Sequence, residues 1–188
     1  IVNDKATWVM QSNIPGVRSI HDHGLRGEDQ IVTVADTGLN VDHEMFYDPD
    51  HPIGPDHRKV KAYFVPGDAN GDNTDGQGHG THVCGTVGGD APETTGGTDW
   101  YTYNKYDGSE FCGYLIMEDI AVGGGTSVWP PSDLWDLFLP ARENGSYIHT
   151  NSWGGGDGYD SDTARIDEFM WTYKDFLILF AMGNDGPD

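Results

Sequence analysis

Short apolar runs recur along the chain, and most stop abruptly at a polar residue and a glycine-containing turn. Residues 31–38 (IVTVADTG) show this most sharply, a continuous apolar stretch closed by Asp36 and a turn. An apolar run of that length without alternation predicts a strand buried on both faces. Residues 60–65 (VKAYFV) alternate enough to predict a second strand. Residues 114–120 (YLIMEDI), 147–154 (YIHTNSWG) and 177–186 (LILFAMGNDG) add further strands, the last two running straight into polar turns.

Between the strands lie stretches at helical spacing. Residues 131–139 (PSDLWDLFL) open with a proline and a capping serine, Ser132, followed by apolar residues three and four apart. From Ser161 or Thr163 to Lys174, the positions Ala164, Ile166 or Asp167, Phe169, Met170 and Tyr173 predict a helix with one buried face. Burial preference assigns Trp135, Phe138, Phe169 and Trp171 to the core. Residues 78–89 (GHGTHVCGTVGG) predict a helix of another kind. Each of its glycines costs about 1 kcal/mol against alanine, so close packing of a small-residue helix on the sheet has to compensate. Strands alternating with helices imply an α/β fold whose parallel sheet is covered on both faces.

The remaining segments read as connections. The N-terminal residues form a lead-in arm, with an apolar anchor near residues 6–11, a polar loop, and a turn into the first core strand. His21 and His23 in that arm are a weak metal pair, and a surface loop is the simpler reading. Residues 68–76 (DANGDNTDG) place oxygen donors at alternating positions around a glycine, as calcium requires. The glutamate that closes an EF-hand loop is missing, and His79 stands in its place; a turn-rich acidic loop is the default for such a composition. Residues 91–113 read as an insertion loop and residues 123–132 as a rim loop.

At 188 residues and 36% hydrophobic, the chain is large enough for a single domain over residues 1–188 with a substantial core. Ten basic against 31 acidic residues give a formal charge of −21, which argues against nucleic-acid binding. The same charge fits either a solvated acidic surface or a salty, calcium-bearing medium. No run approaches the roughly 18 apolar residues of a membrane span, and the sequence from Ile1 shows no signal-peptide pattern. Cys84 and Cys112, the only cysteines, form one disulfide or remain two thiols.

Chemistry gathers where the apolar runs end. Reactive groups of open α/β sheets collect at the carboxyl ends of strands, and a buried carboxylate there can hold a histidine in one tautomer. Asp36 and His79 are therefore read as a pair. Four blocks in chain order, A-D-T-G, G-H-G-T-H-V-C-G-T-V, N-S-W-G and M-G-N-D-G-P, resemble the subtilisin-like serine peptidases, the subtilases. The resemblance implies a three-layer subtilisin-like α/β fold with a mostly parallel central sheet, here incomplete at the C-terminus. It implies that Asp36 and His79 are the catalytic aspartate and histidine, that Ser152, Trp153 and Gly154 line the substrate cleft, and that Asn184 supplies the oxyanion hole. It also implies a secreted serine endopeptidase acting on polypeptides, with no organic cofactor and calcium at most as a structural ion. Two departures stand out. The family's A-P-x-A turn is absent before residue 114, leaving the register of that strand open. The nucleophilic serine, expected after Asn184 in a G-T-S-M-A-x-P helix, has no counterpart, since no serine follows Ser161.

Residues 125–130 (GTSVWP) copy that nucleophile motif superficially. They precede N-S-W-G, the wrong order for the family, and Val128 and Trp129 stand where small residues belong. Ser127 is accordingly not the expected nucleophile. The resemblance implies a serine from a companion chain or a further C-terminal segment, and an isolated chain that is inactive and leaves a sheet edge open. The alternatives are a catalytically silent protein-binding or assembly module and a calcium-stabilised structural module.

Overall fold

The computed structural model describes residues 3–66, 74–91, 105–123, 125, 127–156, 158–184 and 186. Most of the 68–76 acidic loop, most of the 91–113 insertion and Thr126 lie outside them. The element order is α1 (Asn3–Gln11), α2 (Ser19–Asp22), β1 (Ile31–Asp36), β2 (Val60–Phe64), α3 (His79–Gly88), β3 (Tyr114–Asp119), β4 (Ala121–Val122) and β5 (Ser127–Val128). It continues with α4 (Trp135–Glu143), β6 (Ile148–Asn151), α5 (Ser161–Thr172) and β7 (Leu177–Phe180).

The main sheet is parallel throughout, in the order β2-β3-β1-β6-β7. β1 is central because its apolar run tolerates burial on both faces: from Val32 to Asp36 every residue is buried. The register left open by the missing turn pairs Ile31 with Tyr114 and Asp36 with Asp119. On one face, Val34, Leu39, Phe46, Val60, Leu115 and Met117 pack around Cys84 of α3. On the other, Ala35 and Ile178 meet Leu137, Phe138 and Ala141 of α4 and Phe169 of α5. Helix, sheet and helix pair make the three layers, an α/β fold.

α5 starts where a cap allows it. Asp160 accepts from the backbone N–H groups of Asp162 and Thr163 at 3.1 and 3.0 Å, satisfying donors that the first helical turn leaves unpaired. α4 begins later than its proline and serine suggest: Asp133, not Ser132, accepts from Trp135 N at 3.0 Å.

Several expectations change. The lead-in arm carries two helices, α1 and α2, with Thr7 buried. Trp171 is 76% exposed, with Lys174 Nζ 3.3 Å from its ring centroid, and Ala164 is also exposed, so Phe169 alone is fully buried on α5. His21 is buried rather than in a surface loop, its Nε2 bonded to the Ser109 carbonyl at 2.9 Å and its ring edge-on to Phe111. The rim loop contributes β5, which pairs antiparallel with β4 immediately before the loop. Both cysteines are free thiols, and Cys84 donates towards Met117 Sδ at 3.8 Å. β7 forms a sheet edge, with Leu177 and Leu179 about half exposed. Among the described residues no helix is long and apolar enough to cross a membrane.

Candidate active site

Because the strands are parallel, their C-terminal ends lie along one edge of the sheet. Asp36 ends β1 there, 1% exposed. Its Oδ1 accepts from the Thr37 amide at 2.7 Å and lies 2.7 Å from His79 Nδ1. A carboxylate only accepts, so Nδ1 carries the ring hydrogen and Nε2 keeps its lone pair. The His79 side chain is 48% exposed and can meet a reactant. Oδ2 of Asp36 is buried without a hydrogen-bond partner, which leaves the carboxylate charge to act on the imidazole.

Glycines set how closely α3 approaches. A Cβ on Gly80 would sit 2.1 Å from the Gly38 carbonyl oxygen and 3.2 Å from Asp36 Cβ, so the helix start rests directly on the turn after β1. Gly38 has φ +109°, and a Cβ there would fall 2.0 Å from the Thr74 carbonyl oxygen. Only glycine combines that backbone with that contact.

The start of α3 is held by a residue that pattern reading passes over. Asp75 Oδ1 accepts from the Gly78 and Gln77 amides at 2.8 and 3.2 Å and from the Thr37 hydroxyl at 3.0 Å, while Oδ2 accepts from Thr81 N at 2.7 Å. Thr37 Oγ1 in turn accepts from Gly80 N at 2.9 Å. Burial pushes the Asp75 carboxyl up, but the Thr81, Gly78 and Thr37 donors outweigh it and hold it below the ordinary carboxylate range. A negative charge at a helix N-terminus also meets the positive end of its dipole. Asp75 belongs to the acidic stretch whose default reading is a turn-rich loop and whose other reading is a calcium site, and both its oxygens are committed to the helix. The signal that could have found it is a carboxylate four residues before a helix-opening histidine.

Beyond the ends of β6 and β7 opens a cavity of about 780 Å³. Residues 152–156 wall one side, residues 180–184 another, and the first turns of α5 close it. Ser152, Trp153, Gly154 and Asn184 all line it. Trp153 stands edge-on to Phe180 with ring centroids 5.1 Å apart. Asn184 is exposed and follows Gly183, whose φ of +90° turns the chain after β7. Asp36 and His79 are not part of the lining; the pair stands on the same edge of the sheet, at the end of the neighbouring strand β1. The central strand β1 lies between β3 and β6, where strand order reverses and α/β folds place their ligands. Ser127 is exposed on β5, and no hydrogen bond joins it to His79. Among the described residues no cluster of three or more His, Cys, Asp or Glu is arranged to hold a metal ion.

The arrangement offers an oriented proton acceptor, a cavity and an amide on one sheet edge. The chain is 35% identical over 176 residues to the serine protease/ABC transporter B family protein tagD of Dictyostelium discoideum, with 87% of this chain and 9% of that protein covered. It is 44% identical over 162 residues to alkaline protease 1 of Aspergillus flavus, covering 86% of this chain and 34% of the relative. The chain thus spans a minor part of these relatives' length. The solved structure of the CspB protease of Clostridium perfringens superposes with a TM-score of 0.67 at 19% identity, over 96% of this chain and 40% of that one, and shares the fold. The profile of the subtilase family, Peptidase_S8, matches residues 27–188, and the chain belongs to that family.

Proposed function

We propose that the chain is the N-terminal portion of a subtilisin-like serine endopeptidase domain whose nucleophilic serine lies outside these 188 residues. The observation that carries the reading is the 2.7 Å bond from His79 Nδ1 to the buried Asp36 carboxylate at the C-terminal edge of a parallel sheet. The serine hydroxyl attacks the scissile carbonyl while His79 Nε2 takes its proton. Asp36 keeps the ring oriented and offsets its positive charge. As the C–N bond breaks, His79 returns the proton to the leaving amine, and water then releases the acyl group by the same proton route. Asn184 donates its side-chain amide to the oxyanion, a bond whose loss typically costs about 3 to 4 kcal/mol of transition-state stabilisation. Ser152, Trp153 and Gly154 receive the polypeptide as an added strand. The partners are a polypeptide substrate and the segment or companion chain that brings the serine, and the setting is outside the cell. The chemistry needs no organic cofactor, and calcium enters only as a structural ion.

Serine-directed fluorophosphonate labelling of the native protein, with intact masses of every chain present, tests the reading. Labelling of a serine outside residues 1–188 that disappears in Asp36→Asn is the expected result. No labelling of any chain would identify a silent binding module, and labelling of Ser127 would make that residue the nucleophile.

A further inference from the structure

On the face of the sheet away from α3 lies a second histidine bonded to a carboxylate. Glu118 on β3 and His149 on β6 are fully buried, and Asn151 at the end of β6 is 1% exposed. His149 Nε2 lies 2.9 Å from Glu118 Oε2, and Asn151 Nδ2 lies 3.1 Å from His149 Nδ1. The same amide nitrogen donates to the Leu179 carbonyl of β7 at 3.1 Å. An amide nitrogen only donates, so Nδ1 accepts, and Nε2 carries the ring hydrogen that it gives to Glu118. The three side chains thus form one directional relay that crosses beside β1 from β3 to β7. Phe138 closes on His149 edge-on at 5.0 Å between centroids, and Phe176 at 6.2 Å. Burying such groups in an apolar cluster is costly unless they are hydrogen-bonded, and the relay bonds carry that burden, since Glu118 Oε1 and Asn151 Oδ1 are buried without a partner.

What the relay holds is the spacing of the cavity walls. Asn151 is the last residue of β6, and the wall begins at the next residue, Ser152. Leu179 stands one residue before the end of β7, whose continuation is the wall that carries Asn184. A backbone bond from Ala181 N to the Asn151 carbonyl, at 2.9 Å, ties the same level. We infer that Glu118, His149 and Asn151 are positioning residues: their relay fixes the Asn151 amide on the Leu179 carbonyl and so sets the distance between the substrate-strand wall and the Asn184 loop. The inference rests on the proposed peptidase activity.

The test uses the complete protein that carries this chain and a chromogenic peptide substrate. Glu118→Gln keeps a carbonyl oxygen for the His149 N–H and is expected to retain the wild-type kcat. Glu118→Leu and Asn151→Ala break the relay and are expected to lower kcat by roughly ten- to a hundredfold with a smaller change in KM, the scale of a misplacement of about 1 Å. Purely structural support would lower the melting temperature of the Leu variant without separating kcat from KM. Wild-type kcat in Glu118→Leu, or an equal loss in Glu118→Gln, overturns the inference. Asp36→Asn separates the two levels: full activity there refutes the peptidase reading itself, while its loss beside active relay variants refutes the relay alone. Should the Leu and Ala variants fail to fold, NMR of isotope-labelled histidine in the wild-type protein decides, because an Nε2–H tautomer at His149 supports the relay and an Nδ1–H tautomer overturns it.

Discussion

Gly80→Ala is the sharpest probe of the site, because one methyl group tests the whole packing account. The added Cβ would lie 2.1 Å from the Gly38 carbonyl oxygen, where ordinary contact begins at 3.4 Å, so helix and turn must part by about 1.3 Å. Neither partner is the end of a flexible side chain, so α3 itself has to move. His79 opens that helix, and a shift of this size carries its Nδ1 from 2.7 Å to beyond hydrogen-bond reach of Asp36. In energy the change is modest. Overpacking costs about 1 to 3 kcal/mol, and replacing a helical glycine with alanine offsets about 1 kcal/mol of that. In rate it is large, since a misplacement near 1 Å costs roughly a hundredfold. Peptide hydrolysis by the complete protein should therefore fall about a hundredfold in kcat/KM while the melting temperature drops by only a few degrees. The downfield proton resonance of the His79 Nδ1–H should shift or vanish. Wild-type kcat/KM with an unchanged resonance would show that α3 does not seat on Gly38 as described.

Asp75→Ala removes the acceptor for three amides and should cost about 1 to 2 kcal/mol near neutral pH. Because the folded carboxyl titrates below its ordinary value of 3.8, its stabilisation is complete above that value and is lost as pH falls below it. Thermal unfolding should thus show the two proteins converging below about pH 3.8 and parallel above it; a gap that widens on acidification contradicts the cap. For the cysteines, alkylation followed by peptide mapping should recover both as thiols. Cys84, buried with its thiol pushed well up, should react only after unfolding, and Cys112, pushed up to about 11 by burial and the Glu28 and Asp90 charges, only slowly. Recovery of a Cys84–Cys112 disulfide would refute this. Trp153→Ala enlarges the cavity and should alter side-chain preference in a peptide library, and an unchanged profile would remove Trp153 from the substrate pocket.

The central strand was legible because a strand buried on both faces needs a mostly apolar run, as residues 31–35 are; the equally apolar run 177–180 forms an edge strand whose Leu177 and Leu179 stay about half exposed. The pairing of Asp36 with His79 was legible because an apolar strand that stops at a carboxylate presents it at the C-terminal edge of the sheet, where a histidine opening a small-residue helix can meet it. Asp75 was not, since its role depends on a carboxylate wrapping back over the helix that follows. The Glu118–His149 bond was equally hidden: the residues are 31 apart on strands that do not pair with each other, and β1 brings them together. Trp171 misled because a large aromatic on a helix is usually buried, whereas here Lys174 covers its face and Phe169 takes the core position.

The placement of β1 at the centre of the sheet also bears on how the chain comes to be folded. Its neighbours arrive late in synthesis: Ile31 waits for Tyr114 and Val32 for Ile148. At translation rates of about 5 to 20 residues per second, the 83 residues from Val32 to Tyr114 take roughly 4 to 17 s. Throughout that interval the IVTVA run stands without either flanking strand. Long-range parallel pairing is slow even once the chain is complete, so the central strand of the sheet is also the one longest open to a chaperone, a protease or a second nascent chain. Nascent chains arrested before residue 114 should be cleaved within β1, and those arrested after β7 has emerged should resist.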